Sequence, residues 1–441
     1  MSKTTVAPAT VGAPAAAAQS GASFAALRHP AYRWYASTQM VANLGDNVEH
    51  VISYWVIWQA FHSPMLAGFA VIAHWLPSLL FSVHLGQLSE RYDCRKIILI
   101  GQTLVMGVSL SWGLLFLTGT LQVWHAVVLL LCHGLAGSIQ GPASQLIIHD
   151  IVGPKQLSSA IRLNATARQL VILFGPAVGG LLMLAVGAPV GMLINVLFYV
   201  PLSIWLLRFS PFTGHGRDSA RAPAPSDLRW MEAFHVLRGL SGNRPVLAMV
   251  ALAGASSLLV GNAFQAQMPG FAQDLAADTT GVSYSILMGS SAAGAFLGGL
   301  LLELTGALRP GVRSAIVSAA LWCVALIGFA WSRSYPLAVA LMFVAGMLNL
   351  AFLAMAQTLV QLMAPADQRG RVVGLFNMFA FGLRVGSGVT VGLMGSIIGI
   401  HWALGLSAAA LLVVTLGLLG LTWGDGGRAA VPTPASRSAR T

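Results

Sequence analysis

Long apolar stretches separated by short polar breaks make up most of this chain. Nearly all of them reach about 20 residues, the length that an α-helix needs to cross the hydrocarbon core of a bilayer, whereas a membrane β-strand needs only about 10. The pattern therefore predicts an all-α membrane protein. Cutting the chain at the polar breaks gives twelve predicted transmembrane helices, near residues 33–60, 65–88, 96–118, 122–147, 157–186, 189–208, 245–268, 282–304, 312–332, 335–363, 371–398 and 401–423.

The longest polar connection is rich in Pro, Gly, Ser and Arg, and it divides the predicted helices into two sets of six. The N-terminal residues lack the apolar segment of a signal peptide, and their composition is typical of a disordered tail. We therefore expect five parts: a disordered cytoplasmic tail at 1–30, a six-helix bundle at 31–208, a cytoplasmic linker at 209–244, a second six-helix bundle at 245–424 and a cytoplasmic tail at 425–441.

Composition and charge agree with a membrane protein. Of the 441 residues, 56% are hydrophobic and only 8% are charged, against about 25% charged residues in soluble domains. The net charge of +11 would suit a nucleic-acid partner, but the Lys and Arg residues lie in short loops and tails, so no nucleic-acid partner is expected. Alternate loops hold nearly all of these cations, and the opposite loops hold only Arg333. Because cytoplasmic loops gather Lys and Arg, both termini are predicted to face the cytoplasm.

The two halves of the chain repeat each other. Gly86 and Glu90 end the second predicted helix, and Gly299 and Glu303 end the eighth helix, 213 residues later. The same offset relates the fifth helix to the eleventh, carrying Asn164 to Asn377, Gly175 to Gly388 and Gly179 to Gly392. These matches indicate an internal duplication, and two such halves usually enclose a central substrate site.

The connection after the second predicted helix is the densest cluster of charge between two helices. Its residues include Gly86, Leu88, Ser89, Glu90, Arg91, Arg95 and Lys96. They resemble the loop between helices 2 and 3 of the major facilitator superfamily, which reads Gly, any residue, Leu, a small residue, Asp, Arg, any residue, Gly and then basic residues. Glu90 replaces the Asp and keeps its charge, and Asp93 replaces the Gly, as is common among siderophore-type exporters.

A second resemblance lies in the fifth predicted helix. Gly175, Pro176, Gly179 and Gly180 match the antiporter motif of the superfamily, with Val171 in place of its leading Gly. From about residue 30 to 424 the chain resembles the twelve-helix drug and siderophore exporters of bacterial inner membranes. The resemblance implies a monomer in the lipid bilayer, with two pseudo-symmetric six-helix bundles that rock about a mid-membrane site. It also implies export of a small amphipathic substrate, with the proton gradient as energy source and no cofactor.

Two alternatives stay open at the level of sequence. Gly45-Asp46-Asn47 in helix 1 also resembles lysophospholipid flippases of the same superfamily, which would make the substrate a lipid. A membrane receptor without transport activity is the other alternative, although such a protein more naturally has a large folded loop. An enzyme is not expected, because the sequence has no phosphate-binding Gly-Lys loop, nucleophile elbow or metal-ligand motif.

Helix 1 carries the first candidate site. The spacing of Gln39, Asn43, Asp46 and His50 puts all four on one helix face. An acid at the bilayer centre costs about 2.5–3.5 kcal/mol on insertion scales, so a functional role is the first hypothesis. We predict that Asp46 carries the coupling proton, with Glu49 as the alternative carrier. The structural alternative is that Asp46 pins neighbouring helices and never titrates.

Two cations lie inside predicted helices. Arg384 falls near mid-depth in helix 11, where it would balance Asp46 or Glu49, clamp an anionic substrate, or lock the two halves in a static ion pair. Arg168 in helix 5 lies nearer the cytoplasmic end, which favours a structural role.

Further polar residues inside the predicted helices either line the cavity or hydrogen-bond between helices. His74 and His84 are interpreted as packing residues, because no second His or acid lies four residues from either, and no metal site is predicted. The candidate cavity residues are His133, Gly137, Gln140, Ser144, Gln265, Gln267, Gln357 and Gln361.

The charged connection is predicted to be a cytoplasmic gate. Glu90 is expected to meet the start of helix 11, where Arg371 and the helix N-terminus are positive. The repeat predicts an equivalent contact between Glu303 and Arg162. The residues assigned to gating are Gly86, Glu90, Arg91, Arg95, Lys96, Glu303, Arg162 and Arg371.

Overall fold

The computed structural model describes residues 24–214, 237–240, 242–305, 311–364 and 369–423. All regular secondary structure in these ranges is helical, which confirms the all-α prediction. A 3₁₀ turn at Ala25–Arg28 precedes α1, and π-helical segments at Met378–Gly382 and Gly388–Leu393 flank α13. The α-helices are α1 (Pro30–Phe61), α2 (Pro64–Arg91), α3 (Cys94–Leu117), α4 (Val123–Val186), α5 (Ala188–Arg208), α6 (Arg244–Leu259), α7 (Ala263–Ala266), α8 (Met268–Ala276), α9 (Val282–Thr305), α10 (Val312–Trp331), α11 (Tyr335–Met363), α12 (Arg369–Asn377), α13 (Arg384–Ser387), α14 (Met394–Ile398) and α15 (Ile400–Trp423).

Two helical runs of the structure are interrupted at glycines. The fourth and fifth predicted helices form one run, α4, which breaks at Gly153 into spans Val123–Gly153 and Ser159–Val186. The seventh predicted helix breaks at Gly261 between α6 and α7. The φ angles of these residues, 66° and 45°, lie in the left-handed region that glycine adopts without the penalty of a Cβ.

The described residues hold ten stretches that are long and apolar enough to cross a bilayer. The other two predicted spans coincide with α1 and α9, helices of 32 and 24 residues. The polar face of α1 makes this helix less apolar than the ten stretches. The count of twelve therefore remains a prediction, whereas the multi-pass helical architecture is confirmed.

The outer surface of the helices is apolar. Leu207, Ile397, Val413 and Leu421 are each at least 69% exposed. In a soluble protein, a continuous apolar surface of this kind is rare. Helices satisfy their own backbone hydrogen bonds, so such a surface suits contact with lipid tails.

The two halves meet along two contacts that the sequence repeat relates. In one contact α2 packs against the π-helical segment Gly388–Leu393, and in the other the second span of α4 packs against α9. The 213-residue offset carries the second predicted helix to the eighth and the fifth to the eleventh, so each contact is the counterpart of the other. At the first contact a Cβ on Gly68 would lie 2.5 Å from the Cα of Gly392. Glycine at both positions lets the two backbones touch.

One end of the interface between the halves is closed by aromatic and polar contacts. Trp58 Nε1 donates a hydrogen bond to Gln273 Oε1 at 3.1 Å. The ring of Trp55 stacks on Tyr284, whose hydroxyl donates to the Val51 carbonyl at 2.9 Å. These contacts lie near the end of α1 and the start of α2, at the opposite end of α2 from the charged connection. We call them the closed end.

Candidate functional site

The polar face predicted for α1 is present in the structure. α1 begins at Pro30, a residue suited to the first helical position, and continues as one helix past the polar residues. Gln39 Nε2 donates to Asn43 Oδ1 at 3.0 Å. One turn further on, His50 Nδ1 lies 2.7 Å from the Asp46 carbonyl oxygen. The helix therefore presents Asp46 and His50 together.

His133, from the first span of α4, bridges the two acids of α1. Its Nε2 lies 3.2 Å from Asp46 Oδ1, and its Nδ1 lies 2.7 Å from Glu49 Oε1. A doubly protonated imidazole can donate to both carboxylates. The sequence analysis placed His133 in the cavity lining, and the structure brings it to both predicted proton carriers.

The two acids differ in their access to solvent. The Asp46 side chain is 39% exposed, whereas the Glu49 side chain is 3% exposed. Glu49 also accepts a short hydrogen bond from Ser109 Oγ, and Asn195 Nδ2 donates to the same hydroxyl at 3.2 Å. The sequence analysis missed Ser109 and Asn195, although a polar residue inside an apolar run is the signal that marks both.

A third helix contributes His74. Its Nδ1 lies 3.2 Å from His50 Nε2, and its ring centroid lies 5.4 Å from that of His133. The sequence analysis interpreted His74 as a packing residue because no partner lies one turn away along α2. The partners come from α1 and α4, so spacing within one helix could not reveal them.

These residues surround a small cavity of about 10 Å³. A volume of this size admits roughly one water-sized particle. The rest of its lining is mostly apolar, apart from the hydroxyls of Ser53 and Tyr54. The lining residues are Glu49, His50, Ser53, Tyr54, Ala70, His74, Trp112, Leu130 and His133.

Arg384 lies beside this site but outside it. It starts the four-residue helix α13 between the two π-helical segments, and its guanidinium lies 5.0 Å from the ring centroid of Trp75 and 4.8 Å from that of Phe381. Arg168 lies 5.5 Å from the same Phe381 ring. Among the described residues neither arginine lies within 4 Å of an acidic group. In this conformation the arginines are therefore held by aromatic faces.

The predicted cavity glutamines fall into two groups. Gln140 accepts a hydrogen bond from Gln102 Nε2 at 2.7 Å, which ties α4 to α3. Gln267 is fully buried and donates to the Pro64 carbonyl at 2.9 Å, which ties the two halves together. Gln265 and Gln357 are half-buried on α7 and α11. Gln140 and Gln267 thus hold helices together, as the structural alternative predicts.

The helix 5 motif packs against both halves. A Cβ on Gly175 would lie 2.5 Å from the Cβ of Asn47 in α1, and one on Gly180 would lie 2.8 Å from the Cβ of Ser285 in α9. A Cβ on Gly179 would lie 3.0 Å from the Cβ of Val51 in α1. The motif residues therefore permit close approach of three helices.

The predicted gate is described only in part. Asp93 caps α3 by accepting from the Arg95 backbone N–H at 3.0 Å, and Arg95 Nη1 donates to the Ser210 carbonyl at 2.7 Å. Burial alone would raise the pKa of Asp93, but hydrogen bonds from Arg95 outweigh it and hold that pKa below its usual range. Glu90, Arg91 and Lys96 are exposed. The side chains of Glu303, Arg162 and Arg371 lie outside the described residues, so both gate contacts remain predictions.

Comparison with known proteins assigns the family. The profile of the transmembrane secretion effector family, part of the major facilitator superfamily, matches residues 21–425. The chain belongs to this family. Its members and relatives are membrane transporters, not enzymes, and the resemblance to the exporter branch is confirmed.

Relatives and solved structures agree with this assignment. The chain is 28% identical over 248 residues to macrolide efflux protein A of Streptococcus pyogenes, an alignment that covers 55% of this chain and 59% of the relative. It is 29% identical over 234 residues to macrolide efflux protein A of Enterococcus faecalis, covering 52% of this chain and 70% of the relative.

Two solved transporters share the fold. The nucleoside transporter NupG superposes with a TM-score of 0.69 at 13% identity, covering 89% of this chain and 99% of that chain. A bacterial homologue of the human lysosomal transporter Spinster superposes with a TM-score of 0.61 at 14% identity, covering 89% and 95%. At these identities the likeness shows the fold alone.

Proposed function

We propose that this protein is a proton-coupled exporter of drug-like or siderophore-like amphipathic molecules. It works by alternating access, as a monomer in the bacterial inner membrane with both termini in the cytoplasm. Family membership and the efflux relatives support export, and the asymmetry of Lys and Arg between loops supports the orientation. The interface between the halves, closed at one end, supports alternating access.

The observation that carries the proton proposal is the contact of His133 with both Asp46 and Glu49. Acids inside membrane helices are costly and mark ion or proton pathways. Asp46 is the better exchange group because its carboxylate is partly exposed, whereas Glu49 is enclosed and orients His133. A proton shared by Asp46 and His133 can therefore leave when the cavity opens to the other side.

The test is transport in inverted membrane vesicles with an acidic interior. Addition of a macrolide to vesicles of the wild-type protein is expected to release protons, read with a pH-sensitive dye, and Asp46→Asn is expected to lose at least about 90% of this signal while retaining wild-type amounts of folded protein. Asp274→Asn is the matched control, because Asp274 is an exposed acid paired with His401 at 3.2 Å outside the site. Unchanged proton-coupled flux in Asp46→Asn would contradict the proposed carrier.

The substrate is tested in cells. Expression in a pump-deficient strain is expected to lower macrolide accumulation, and secretion of a catecholate siderophore under iron limitation is measured in the same strain. Export of the macrolide alone assigns a drug substrate, and export of the siderophore alone assigns the siderophore class. If neither compound is exported, the proposed substrate classes are wrong.

A further inference from the structure

The three imidazoles of the site converge on one point from three helices. His50, His74 and His133 each offer a ring nitrogen, and these atoms all lie within 4.8 Å of one another. The closest pair, His50 Nε2 and His74 Nδ1, is 3.2 Å apart. Nitrogen ligands on a tetrahedral zinc ion, with bonds of about 2.0–2.1 Å, lie roughly 3.3 Å from each other. His50 and His74 already have this spacing, and rotation of the His133 ring can bring its nitrogen to the same distance from both.

Two of these imidazoles are oriented by their other ring nitrogen. His50 Nδ1 faces the Asp46 carbonyl at 2.7 Å, and His133 Nδ1 faces the Glu49 carboxylate at 2.7 Å. Only an N–H can satisfy these acceptors, so a neutral ring keeps its lone pair on Nε2. Histidines that bind metals almost always donate their other N–H to a carbonyl or carboxylate in this way.

A carboxylate beside the cluster is the candidate fourth ligand, and a small cavity adjoins the three imidazoles. Asp46 Oδ1 lies 3.2 Å from His133 Nε2, on the partly exposed side of the cluster. The cavity of about 10 Å³ is bounded by His50, His74 and His133, and roughly one water-sized particle fits such a volume. Three imidazoles and one carboxylate suit Zn²⁺ and similar ions, whereas Mg²⁺ and Ca²⁺ prefer oxygen ligands.

We propose that His50, His74 and His133, with Asp46 as fourth ligand, form a binding site for one divalent transition-metal ion of the Zn²⁺ class. Glu49 is the positioning residue that holds His133. This inference goes beyond the proposed function, and it describes a different state of the same site, because His133 Nε2 cannot hold the shared proton and a metal ion at the same time. It is tested on protein in detergent, where transport plays no part, so each can fail without the other.

The experiment is a Zn²⁺ titration of the full-length protein, purified through a tag without histidine, treated with a chelator and measured in competition with a chromophoric chelator. One Zn²⁺ per protein is expected. His74→Ala is expected to weaken the affinity by at least about 100-fold, and Glu49→Gln by about 10- to 100-fold, as for other residues that orient a ligand. His84→Ala is the matched control, since His84 is an exposed histidine on the same helix and should change nothing.

Two results would overturn the proposal. One is a wild-type protein that binds no Zn²⁺, and the other is an unchanged affinity in His74→Ala that elutes as folded protein. If His74→Ala does not fold, the absorption spectrum of the wild-type protein with added Co²⁺ tests the site instead. Intense visible absorption bands, typical of four-coordinate Co²⁺, support the site, and their absence overturns it.

Discussion

At the scale of single residues, the site depends on a buried network around Glu49. This carboxylate accepts from His133 and Ser109, and Ser109 accepts from Asn195, so the polar chain crosses α1, α3, α4 and α5. In a low-dielectric interior such a network stabilises the protein only while every member is satisfied. The network therefore both fixes His133 and makes its members sensitive to substitution.

Ser109→Ala tests this network. The substitution removes one donor to the Glu49 carboxylate and leaves Asn195 Nδ2 without its acceptor, and an unsatisfied buried polar group costs about 1–3 kcal/mol. The melting temperature in detergent is therefore expected to fall by several degrees. Ser111→Ala is the matched control, because Ser111 is half-buried on the same helix, and its hydroxyl donates to the Gly107 carbonyl of that helix and not to Glu49. Equal melting temperatures for the two variants would contradict the network.

At the scale of elements, Asp93 and contacts with the segment after α5 hold the connection from α2 to α3. Asp93 caps α3 and pairs with Arg95 at 2.7 Å, and the Cys94 backbone N–H donates to the Thr213 carbonyl at 2.8 Å. The start of α3 is thus fixed to the segment after α5. A rigid connection between α2 and α3 is what we expect if both helices move together as part of the N-terminal half.

The lowered pKa of Asp93 makes this connection sensitive to pH. A folded-state pKa below the unfolded value of about 3.9 means that the ion pair stabilises the protein above that pH, and the contribution is lost as the pH falls through the folded-state pKa. Asp93→Asn keeps a capping side chain but removes the charge. The wild-type protein is expected to be more stable at pH 7 by about 0.2–1 kcal/mol. The difference should shrink towards zero as the pH falls below the folded-state pKa of Asp93, measured as melting temperature against pH. Parallel profiles for the two proteins would show that the charge contributes nothing.

The contact of Gly68 with Gly392 permits a test of the closed end. Gly68→Ala places a Cβ against the facing backbone, so α2 has to move away from the π-helical segment Gly388–Leu393. Disulfide formation between cysteines at the Trp58 and Gln273 positions, introduced as Trp58→Cys and Gln273→Cys, is expected to slow severalfold. Gly107→Ala is the control, because nothing lies within 4 Å of its Cβ. Unchanged crosslinking in Gly68→Ala would show that this contact does not hold the end closed.

At the scale of the whole molecule, hydrophobic periodicity and the internal repeat were enough to predict the helical architecture. Apolar runs predicted the membrane-crossing helices, and the offset from Gly175 to Gly388 predicted two halves, whose paired contacts the structure describes. The polar face of α1 followed from spacing, which identified Asp46. The role of His74 could not be predicted from spacing, because its partners lie on two other helices and depend on how the three helices pack. The π-helical segments around Arg384 were also missed, since they change the hydrogen-bond register and leave the apolar pattern unchanged.

Alternating access predicts opposite effects for substitutions at the two ends of the molecule. Tyr284→Phe removes the hydrogen bond to Val51 at the closed end, and a bond worth about 0.5–1.5 kcal/mol shifts a two-state equilibrium by roughly 2- to 12-fold. Crosslinking of the Trp58→Cys, Gln273→Cys pair should slow by at most this factor. Glu90→Gln weakens the predicted gate at the opposite end, so the same crosslink should form faster in that variant. Because both ends belong to one equilibrium, shifts of the same sign in the two variants would contradict the rocking of two rigid halves.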